Sequence, residues 1–298
     1  MTIKEALSVA KNILEKKVSA DPNLEAEILL SKILAKNKEY LLANPEEKIS
    51  FWQNFRFQGL IKKRLAGYSA AVLTGHKWFY GLDFIVNKNV LIPRPETELM
   101  IDEVLEKVKS EKFHPEGDHP LGEKIINILD VGTGSGCIVI ALAKKLPENN
   151  IQFYGLDISK KALAVAKKNA EKNGVGGCIK FLQGDLLDKL DKNIFNEPAI
   201  ITANLPYLTS EQVKNSPSIR KEPKLALLAG ADGLDCYRRL FAQIKNRKIK
   251  NELIIFCEID ETQKDLIIEL IKNDFPQVNF EFKNDLDGHC RLAIIKFK

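Results

Sequence analysis

The sequence lacks the features that mark membrane, secreted and zinc-binding proteins. No apolar run approaches the roughly 18 residues that a membrane-spanning helix needs. The first 17 residues carry scattered charges and no apolar segment of a signal peptide. The five cysteines include no Cys-x-x-Cys pair, so we expect reduced thiols rather than disulfides or a zinc site. These absences together predict a cytoplasmic protein that does not contact a membrane.

Strong charge of either sign is also missing. The 45 basic and 40 acidic residues leave a formal net charge of +5 without a basic cluster. This mild balance argues against a dedicated nucleic-acid domain, so we expect no direct nucleic-acid requirement. The four histidines are scattered, and no metal is expected. The chain does have an ample core, since 45% of its 298 residues are hydrophobic, and its length suits two domains.

Residues 1–67 predict a small helical domain. Apolar residues recur at helical spacing over residues 3–17, from Pro22 to about residue 36, and over residues 51–65. Three amphipathic helices can bury their apolar faces against each other, which accounts for the pattern by packing alone. The sequence itself assigns no chemistry to this domain.

Residues 68–95 predict a β-hairpin followed by a linker. Aromatic and β-branched residues lie on both sides of Gly81, which is typical of a tight turn between two strands. The two prolines of Pro93-Arg94-Pro95 hold the backbone extended, as in a linker between domains. A helix then runs to Lys109, and a polar loop is predicted over residues 110–123.

The stretch ILDVGTGSGCIVIALA, residues 128–143, predicts a strand, a glycine-rich turn and a helix. Three alternate glycines stand where side chains would keep a ligand away from the backbone. The dinucleotide fingerprint Gly-x-Gly-x-x-Gly would need a small third residue at position 137, where Cys137 stands. The pattern from Asp130 to Gly136 instead resembles the cofactor loop of S-adenosylmethionine-dependent methyltransferases. The alternative is a turn that only closes a tight corner.

Strands and helices alternate from residue 124 onward. The alternation predicts an α/β fold with a doubly wound, mostly parallel sheet and a ligand at the carboxyl ends of its strands. A short turn joins the last two strands, which we expect to form an antiparallel pair at the edge. The seven predicted strands are Ile125–Leu129, Ile151–Leu156, Ile179–Leu182, Ala199–Ala203, Glu252–Cys257, Val278–Phe282 and Arg291–Phe297.

Acidic residues end the second and third of these strands. Asp157 follows Gly136 by 21 residues, close to the spacing of about 20 expected for a carboxylate that binds a ribose diol. Asp157 is also placed to cap the helix that begins near Ser159, and the two roles are compatible. Asp185 can accept a hydrogen bond from an adenine amine while Leu186 packs on the ring.

The sharpest motif is Asn204-Leu205-Pro206-Tyr207, directly after the fourth strand. Alone it is most often a turn, but here it resembles the (D/N)PPY motif of methyltransferases that modify a planar amine or amide nitrogen. The Asn204 side-chain oxygen and the Leu205 carbonyl can each accept one N–H of an amide. They would thereby fix the NH₂ group and stabilise the positive charge that grows on nitrogen. Tyr207 can pack against the flat group.

Several segments in order resemble the peptide-chain release factor glutamine methyltransferases of the PrmC/HemK type, over nearly the whole chain. This resemblance implies a class I methyltransferase, Rossmann-like domain over residues 96–298, and implies that residues 1–67 dock the substrate. The segments are Tyr80-Gly81-Leu82, Leu91 to Glu98, the glycine loop, Asn204 to Tyr207, Glu222-Pro223, Ala229 to Leu234, and Asp285 to Gly288 with Arg291.

The resemblance implies S-adenosylmethionine as cofactor, class-1 release factors as protein substrate, and methylation of the glutamine in their GGQ loop. Catalysis is predicted for Asn204, Leu205, Pro206 and Tyr207. Cofactor binding is predicted for Asp130, Gly132, Thr133, Gly134, Ser135, Gly136, Asp157, Ile158, Asp185, Leu186 and Asn204. Substrate binding is predicted for Arg94, Pro95, Glu96, Thr97, Asn204 and Tyr207.

One position departs from the family pattern. Leu205 stands where proline is usual, which keeps the backbone carbonyl but loses the rigidity of a fixed φ angle. Alternative functions are methylation of a ribosomal-protein glutamine, methylation of a nucleic-acid amine, and a non-catalytic cofactor-binding module. The intact Asn204 and Tyr207 disfavour the last of these. No long apolar stripe is left over, which favours a monomer.

Overall fold

The computed structural model describes residues 1–15, 21–110, 125–146, 150–216 and 219–297. The polar loop predicted over residues 110–123 lies outside them, apart from its first residue. The chain divides into two compact units. The first unit comprises residues 1–76, 86–88 and 214–221, and the second comprises residues 77–85, 89–213 and 222–298.

The first unit is helical. Asp21 caps the second helix by accepting from Leu24 N, and Ser50 caps the fourth. The three predicted helices are present, and two shorter ones accompany them. The helices are α1 (Ile3–Glu15), α2 (Pro22–Leu34), α3 (Lys38–Ala43), α4 (Phe51–Leu65) and α5 (Ala70–Thr74).

Apolar faces of these helices form one core, to which α1, α2 and α4 contribute. A buried ion pair joins two of the helices, because Arg64 of α4 reaches Glu25 of α2 through Nε–Oε2 at 2.7 Å and Nη2–Oε1 at 3.0 Å. The bidentate geometry offsets part of the cost of burying the guanidinium.

A β-hairpin follows, formed by β1 (His76–Phe79) and β2 (Leu82–Ile85). Its turn residues Tyr80 and Gly81 both have positive φ, at 50° and 73°, as a two-residue hairpin turn requires. Burial and a hydrogen bond to Asp102 raise the pKa of Tyr80 to about 12. The chain then forms a 3₁₀ turn and α6 (Glu98–Lys109).

The second unit contains a seven-stranded sheet with the order β5-β4-β3-β6-β7-β9-β8. All pairs are parallel except those that involve β9, so the predicted antiparallel edge pair is confirmed. Each predicted strand is present to within two residues at its ends. The strands are β3 (Ile126–Val131), β4 (Ile151–Asp157), β5 (Ile179–Gln183), β6 (Ala199–Ala203), β7 (Leu253–Glu258), β8 (Asn279–Asn284) and β9 (Cys290–Phe297).

Helices cover both faces of the sheet. Neighbouring residues of one strand point to opposite faces, so that Ile128 packs with α6 and α7 while Leu129 packs with α10 and α11. The remaining helices are α7 (Cys137–Lys145), α8 (Lys160–Lys172), α9 (Ser210–Asn215), α10 (Asp235–Lys245) and α11 (Lys264–Asp274). Short 3₁₀ turns lie at Pro95–Thr97, Ile194–Asn196, Lys224–Ala226 and Glu261–Gln263.

The strand order reverses between β3 and β6, where the chain returns to the sheet centre after β5. Ligands of open α/β sheets bind outside the carboxyl ends of the strands at such a point. The fold therefore directs attention to the turns after β3 and β6. Nowhere in the part of the chain that the structure describes does a helix combine the length and hydropathy of a membrane span.

Candidate active site

The glycine-rich turn after β3 forms one wall of a crevice. Gly132, Gly134 and Gly136 all have positive φ, at 75°, 57° and 82°. A Cβ at Gly132 would lie 2.9 Å from Leu205 Cδ2, so this position must stay glycine for the turns after β3 and β6 to meet. A Cβ at Gly136 would meet Ile140 of α7 and Ala166 of α8, whereas a Cβ at Gly134 would make an ordinary contact with the Gly132 carbonyl oxygen at 3.8 Å.

Asp130 lies beneath this turn rather than on its open side. Its carboxylate accepts hydrogen bonds from Thr133 Oγ1 at 2.5 Å and from Thr202 Oγ1 at 3.0 Å, which ties the turn to β6. Burial raises the pKa of Asp130 to about 6, against the opposing effect of the two hydroxyls. The position of Asp130 supports the shape of the turn.

Asp157 ends β4 and faces the crevice. Oδ2 accepts from Gly134 N at 2.9 Å, and Oδ1 accepts from Ser159 N at 2.8 Å. Burial raises the pKa of Asp157, while the two backbone N–H groups lower it. The helix cap itself is Ser159, whose hydroxyl accepts from Ala162 N. Each carboxylate oxygen keeps acceptor capacity for a ligand hydroxyl.

Asp185 and Leu186 follow β5 on the same edge of the sheet. Leu186 has a φ of 57°, unusual for a residue with a branched side chain. The Asp185 carboxylate forms an ion pair with Arg239 of α10, a partner that the sequence did not predict. Gln243 donates to the Asp185 carbonyl at 3.1 Å and so fixes the backbone there. Arg239 is therefore placed to compete with any ligand amine for Asp185.

The turn after β6 brings Asn204 to the centre of the crevice. Asn204 Nδ2 donates to Thr97 Oγ1 at 3.1 Å. Asn204 Oδ1 is buried and has no hydrogen-bond partner among the residues that the structure describes. An unpaired buried amide oxygen carries a free-energy cost of about 1–3 kcal/mol, which a bound donor would remove. The Leu205 side chain is buried against Gly132, so the glycine-rich turn after β3 and the turn after β6 are in contact.

Two side chains brace this turn from below. Tyr237 of α10 places its hydroxyl within hydrogen-bond reach of the Ala203 carbonyl at 3.0 Å and of the Glu258 carbonyl. Gln263 Nε2 donates to the carbonyls of Tyr207 at 2.8 Å and Asp232 at 3.0 Å. These hydrogen bonds hold the turn at both ends without the help of a second proline.

Gly233 packs against the braced turn, and alanine at this position is expected to disrupt the turn. The new Cβ would lie 2.2 Å from the Tyr207 carbonyl oxygen and 2.2 Å from Gln263 Nε2, at a φ of +77°. We expect Gly233→Ala to lower the melting temperature and to reduce the activity of this site about 100-fold. Gly288→Ala is the matched control, since Gly288 has a φ of +86° with nothing within 4 Å. Equal behaviour of the two variants would refute this account of the turn.

The segment before α6 closes the crevice from the other side. Arg94 forms an ion pair with Glu222 at 2.5 Å, and Ile92 N donates to the same carboxylate at 3.2 Å. Thr97 is buried beside Asn204, whereas Pro95 and Glu96 are exposed. The pair with Glu222 leaves Arg94 as a fixed wall of the crevice.

Most of the predicted site residues line this one crevice. Those that do are Arg94, Thr97, Gly132, Thr133, Gly134, Ser135, Asp157, Ile158, Asp185, Leu186, Asn204, Leu205 and Pro206. Those that do not are Pro95, Glu96, Asp130, Gly136 and Tyr207. Sequence reasoning missed Pro93, Cys236 and Arg239 on its walls. Sequence reasoning also missed the carboxyl group of Glu258. Glu258 ends β7 as Asp157 ends β4, and this position at a strand end could have marked it as a candidate site residue.

The described residues contain no group of three or more His, Cys, Asp or Glu side chains arranged to hold a metal ion. Cys137, which lines the crevice, keeps a neutral thiol because burial raises its pKa to about 12. The donors available to a ligand are therefore backbone groups of the turns and the polar side chains named above.

Comparisons with known proteins find a matching family for both the N-terminal and the C-terminal part of the chain. A family described as a methyltransferase domain matches residues 123–291, and one described as the PrmC N-terminal domain matches residues 5–75. The chain is 34% identical to the release factor glutamine methyltransferase of Bacillus anthracis, with both chains fully covered. It is 35% identical to that of Bacillus subtilis, over 97% of this chain and 96% of the relative. Identity to that of Moorella thermoacetica is 40%, over 80% of this chain and 79% of the relative.

Solved structures share the fold at lower identity. The human Mettl16 catalytic domain in complex with MAT2A 3′UTR hairpin 1 superposes with a TM-score of 0.56 at 15% identity, covering 97% of this chain and 88% of that chain. The complex with hairpin 6 gives 0.53 at 20% identity, over 72% and 75% of the two chains. Identities this low show a shared fold and give no information about the substrate.

Proposed function

The chain belongs to the release factor glutamine methyltransferase family, and from this premise we propose that it methylates the glutamine of the GGQ loop in class-1 peptide chain release factors. The methyl group passes from S-adenosylmethionine to the side-chain amide nitrogen. The observation that carries the proposal is the unpaired Asn204 Oδ1 in the crevice. An amide acceptor with no partner is complementary to the NH₂ of a primary amide.

The two acceptors of the turn solve a chemical problem. An amide nitrogen is a poor nucleophile because its lone pair is delocalised into the carbonyl. Asn204 Oδ1 and the Leu205 carbonyl each accept one N–H, which orients the nitrogen and stabilises the positive charge that grows there during attack. The hydrogen bond from Asn204 Nδ2 to Thr97 keeps Oδ1 directed at the substrate. No strong base is required from the chain.

The crevice residues fit S-adenosylmethionine. Asp157 has free acceptor capacity at the end of β4, and Gly134, which lines the crevice without a side chain, lets a ligand approach the backbone. We assign Asp157 to the ribose hydroxyls, the turn from Gly132 to Ser135 to the amino acid part, and Leu186 to the adenine ring. When bound, the cofactor supplies a methyl group on a sulfonium sulfur, and the neutral thioether released on transfer is an excellent leaving group. Asp185 meets the adenine amine only by sharing its carboxylate with Arg239.

Leu205 is compatible with this role. Its carbonyl is available as that of proline would be, and its side chain is only 3% exposed against the glycine turn. The hydrogen bonds from Gln263 and the anchored hydroxyl of Tyr237 restrain the turn instead. We therefore propose a preorganised turn despite the absence of the second proline.

We also propose that residues 1–67 dock the release factor, through an aromatic ridge formed by Phe51, Trp52 and Phe55 of α4. These side chains are 75%, 70% and 63% exposed and stack edge to face, with ring centroids 5.6 Å and 6.2 Å apart. Exposed clusters of large aromatic side chains are typical of protein interfaces. The proposal further places the enzyme in the cytoplasm as a monomer without a nucleic-acid requirement.

Trp52→Ala is expected to raise the KM for an intact release factor about tenfold while leaving kcat unchanged, because it removes binding energy and no reacting group. A short peptide that carries only the GGQ loop should be methylated equally by the variant and the wild type. Leu266→Ala, which truncates a 41% exposed side chain on α11, serves as control. An unchanged KM for the intact factor would exclude the ridge as docking surface.

The proposed substrate is tested by offering labelled S-adenosylmethionine with unmethylated release factor, ribosomal proteins or duplex DNA in separate reactions. The proposal requires incorporation into the release factor at a rate far above that of the other two acceptors. Preferred label on a ribosomal protein or on DNA would retain the chemistry of Asn204 and reject the substrate.

A further inference from the structure

A buried carboxyl group behind the catalytic turn has no part in the mechanism so far. Glu258 ends β7, is 4% exposed, and leaves Oε2 without a hydrogen-bond partner among the described residues. Its Oε1 lies 3.4 Å from the Tyr207 hydroxyl, and a hydrogen bond from the Thr97 side chain lowers the pKa of the same carboxyl group. A carboxyl without a salt-bridge partner is costly to bury for packing alone.

Thr97 connects this carboxyl group to the catalytic amide. The Thr97 hydroxyl accepts from Asn204 Nδ2, so its single proton must be donated elsewhere. The Glu258 carboxylate, whose pKa the Thr97 side chain lowers through a hydrogen bond, accepts hydrogen bonds and donates none. This direction of donation, from Asn204 through Thr97 to Glu258, leaves Asn204 Oδ1 free for the substrate.

The reverse direction would misplace the amide. A protonated Glu258 can donate to Thr97, and the Thr97 proton would then turn toward Asn204. With Asn204 Nδ2 facing it, that proton has no acceptor, and a flip of the Asn204 amide restores one by presenting Oδ1 to Thr97 and the NH₂ to the substrate. Two NH₂ groups would then face each other, and neither could accept.

We propose that Glu258 is a positioning residue, whose carboxylate sets the direction of the Asn204–Thr97 hydrogen bond and thereby keeps Asn204 Oδ1 facing the glutamine amide. The inference rests on the proposed function, since it concerns how the same amide acceptor is kept ready. Glu258 touches neither substrate nor cofactor in this scheme.

The groups around Glu258 predict that methyl transfer depends on pH. Burial and the charge of Glu96 raise the pKa of Glu258, whereas Thr97, Tyr207 and Arg291 lower it, and the balance places it at about 7. The carboxylate is therefore lost as the pH falls through about 7. The neighbouring Cys137 thiol and the Tyr207 and Tyr237 hydroxyls stay neutral there, because burial raises their pKa values. Transfer should accordingly decline on the acid side.

The test measures single-turnover methyl transfer to release factor at saturating S-adenosylmethionine, from about pH 5.5 to about pH 9. Glu258→Gln, nearly isosteric and able to donate, is expected to lower the rate constant about 10- to 100-fold at alkaline pH. It should also abolish the acid decline seen in the wild type. Cofactor affinity, measured separately, should stay within about twofold because the chain from Glu258 ends at Asn204.

Thr97 variants keep the inference testable if Glu258→Gln does not fold. Thr97→Val removes the hydroxyl at equal size and should lose transfer as Glu258→Gln does. Thr97→Ser restores the hydroxyl and should recover most of that loss. The inference is overturned if Glu258→Gln keeps the wild-type rate and pH profile, or if Thr97→Val and Thr97→Ser behave alike. Failure of the wild type to methylate release factor at any pH would instead reject the proposed function.

Discussion

Replacement of Asn204 by alanine should reduce methyl transfer about 100- to 1000-fold while cofactor affinity stays within about threefold. The variant removes the acceptor that orients the amide and stabilises charge on nitrogen, and both effects belong to the transition state. Loss should therefore be seen in the single-turnover rate constant rather than in the KM. The binding of S-adenosylhomocysteine, followed by calorimetry, reports the cofactor site independently.

Asn215→Ala provides the matched control for this change, because Asn215 is an exposed asparagine at the end of α9. It should behave as the wild type in both measurements. If Asn204→Ala lost cofactor binding together with transfer, Asn204 would have to serve folding or cofactor binding rather than the acceptor amide.

The second large effect is expected at Asp157, where alanine should weaken cofactor binding about 100-fold. The carboxylate accepts from Gly134 N and Ser159 N, and so fixes both the glycine turn and the start of α8. Its remaining acceptor capacity is assigned to two ribose hydroxyls, each worth about 1.5 kcal/mol as hydrogen bonds to a charged group. The dissociation constant of S-adenosylmethionine, measured without acceptor protein, gives the effect directly.

Asp157→Asn keeps the size and shape of the side chain at this site and removes its negative charge. The amide keeps one acceptor oxygen but turns a donor toward one of the two backbone N–H groups, so an intermediate loss of about tenfold is expected. Asp265→Ala, on the exposed face of α11, is the control. Unchanged affinity in Asp157→Ala would mean that the residue only caps the turn and that the ribose is held elsewhere.

Local patterns were enough to predict the sheet and its two signature turns. The central strands β6 and β7 are nearly continuous apolar runs, whereas the edge strand β8 alternates Phe280 and Phe282 with polar residues. The alternation of strands with helices predicts the parallel order of the central strands. The short helices α3 and α5 were not predicted, since 6 and 5 residues are too few to show a helical period. Their capping residues Asn37 and Ser69 mark their starts only once the ends are known.

The supports of the site depend on contacts between distant parts of the chain. Thr97 and Asn204 are 107 positions apart, and Asp185 and Arg239 are 54 apart. A sequence pattern shows which residue types are present but not which buried polar groups become partners in the fold. For the same reason Tyr237 and Gln263 carried no signal, and the strand-end position of Glu258 did not show its partners, although the structure gathers all three under the turn at Asn204.

Locating the methyl group on the product tests the role proposed for the turn at Asn204 most directly. Release factor methylated by the wild-type enzyme is digested, and tandem mass spectrometry assigns the modified residue and the atom that carries the methyl. The proposed function predicts a single methyl on the side-chain nitrogen of the GGQ glutamine, absent when Asn204 is alanine. A methyl on another residue, or an Asn204→Ala enzyme that still forms the same product at the wild-type rate, would contradict the role assigned to this turn.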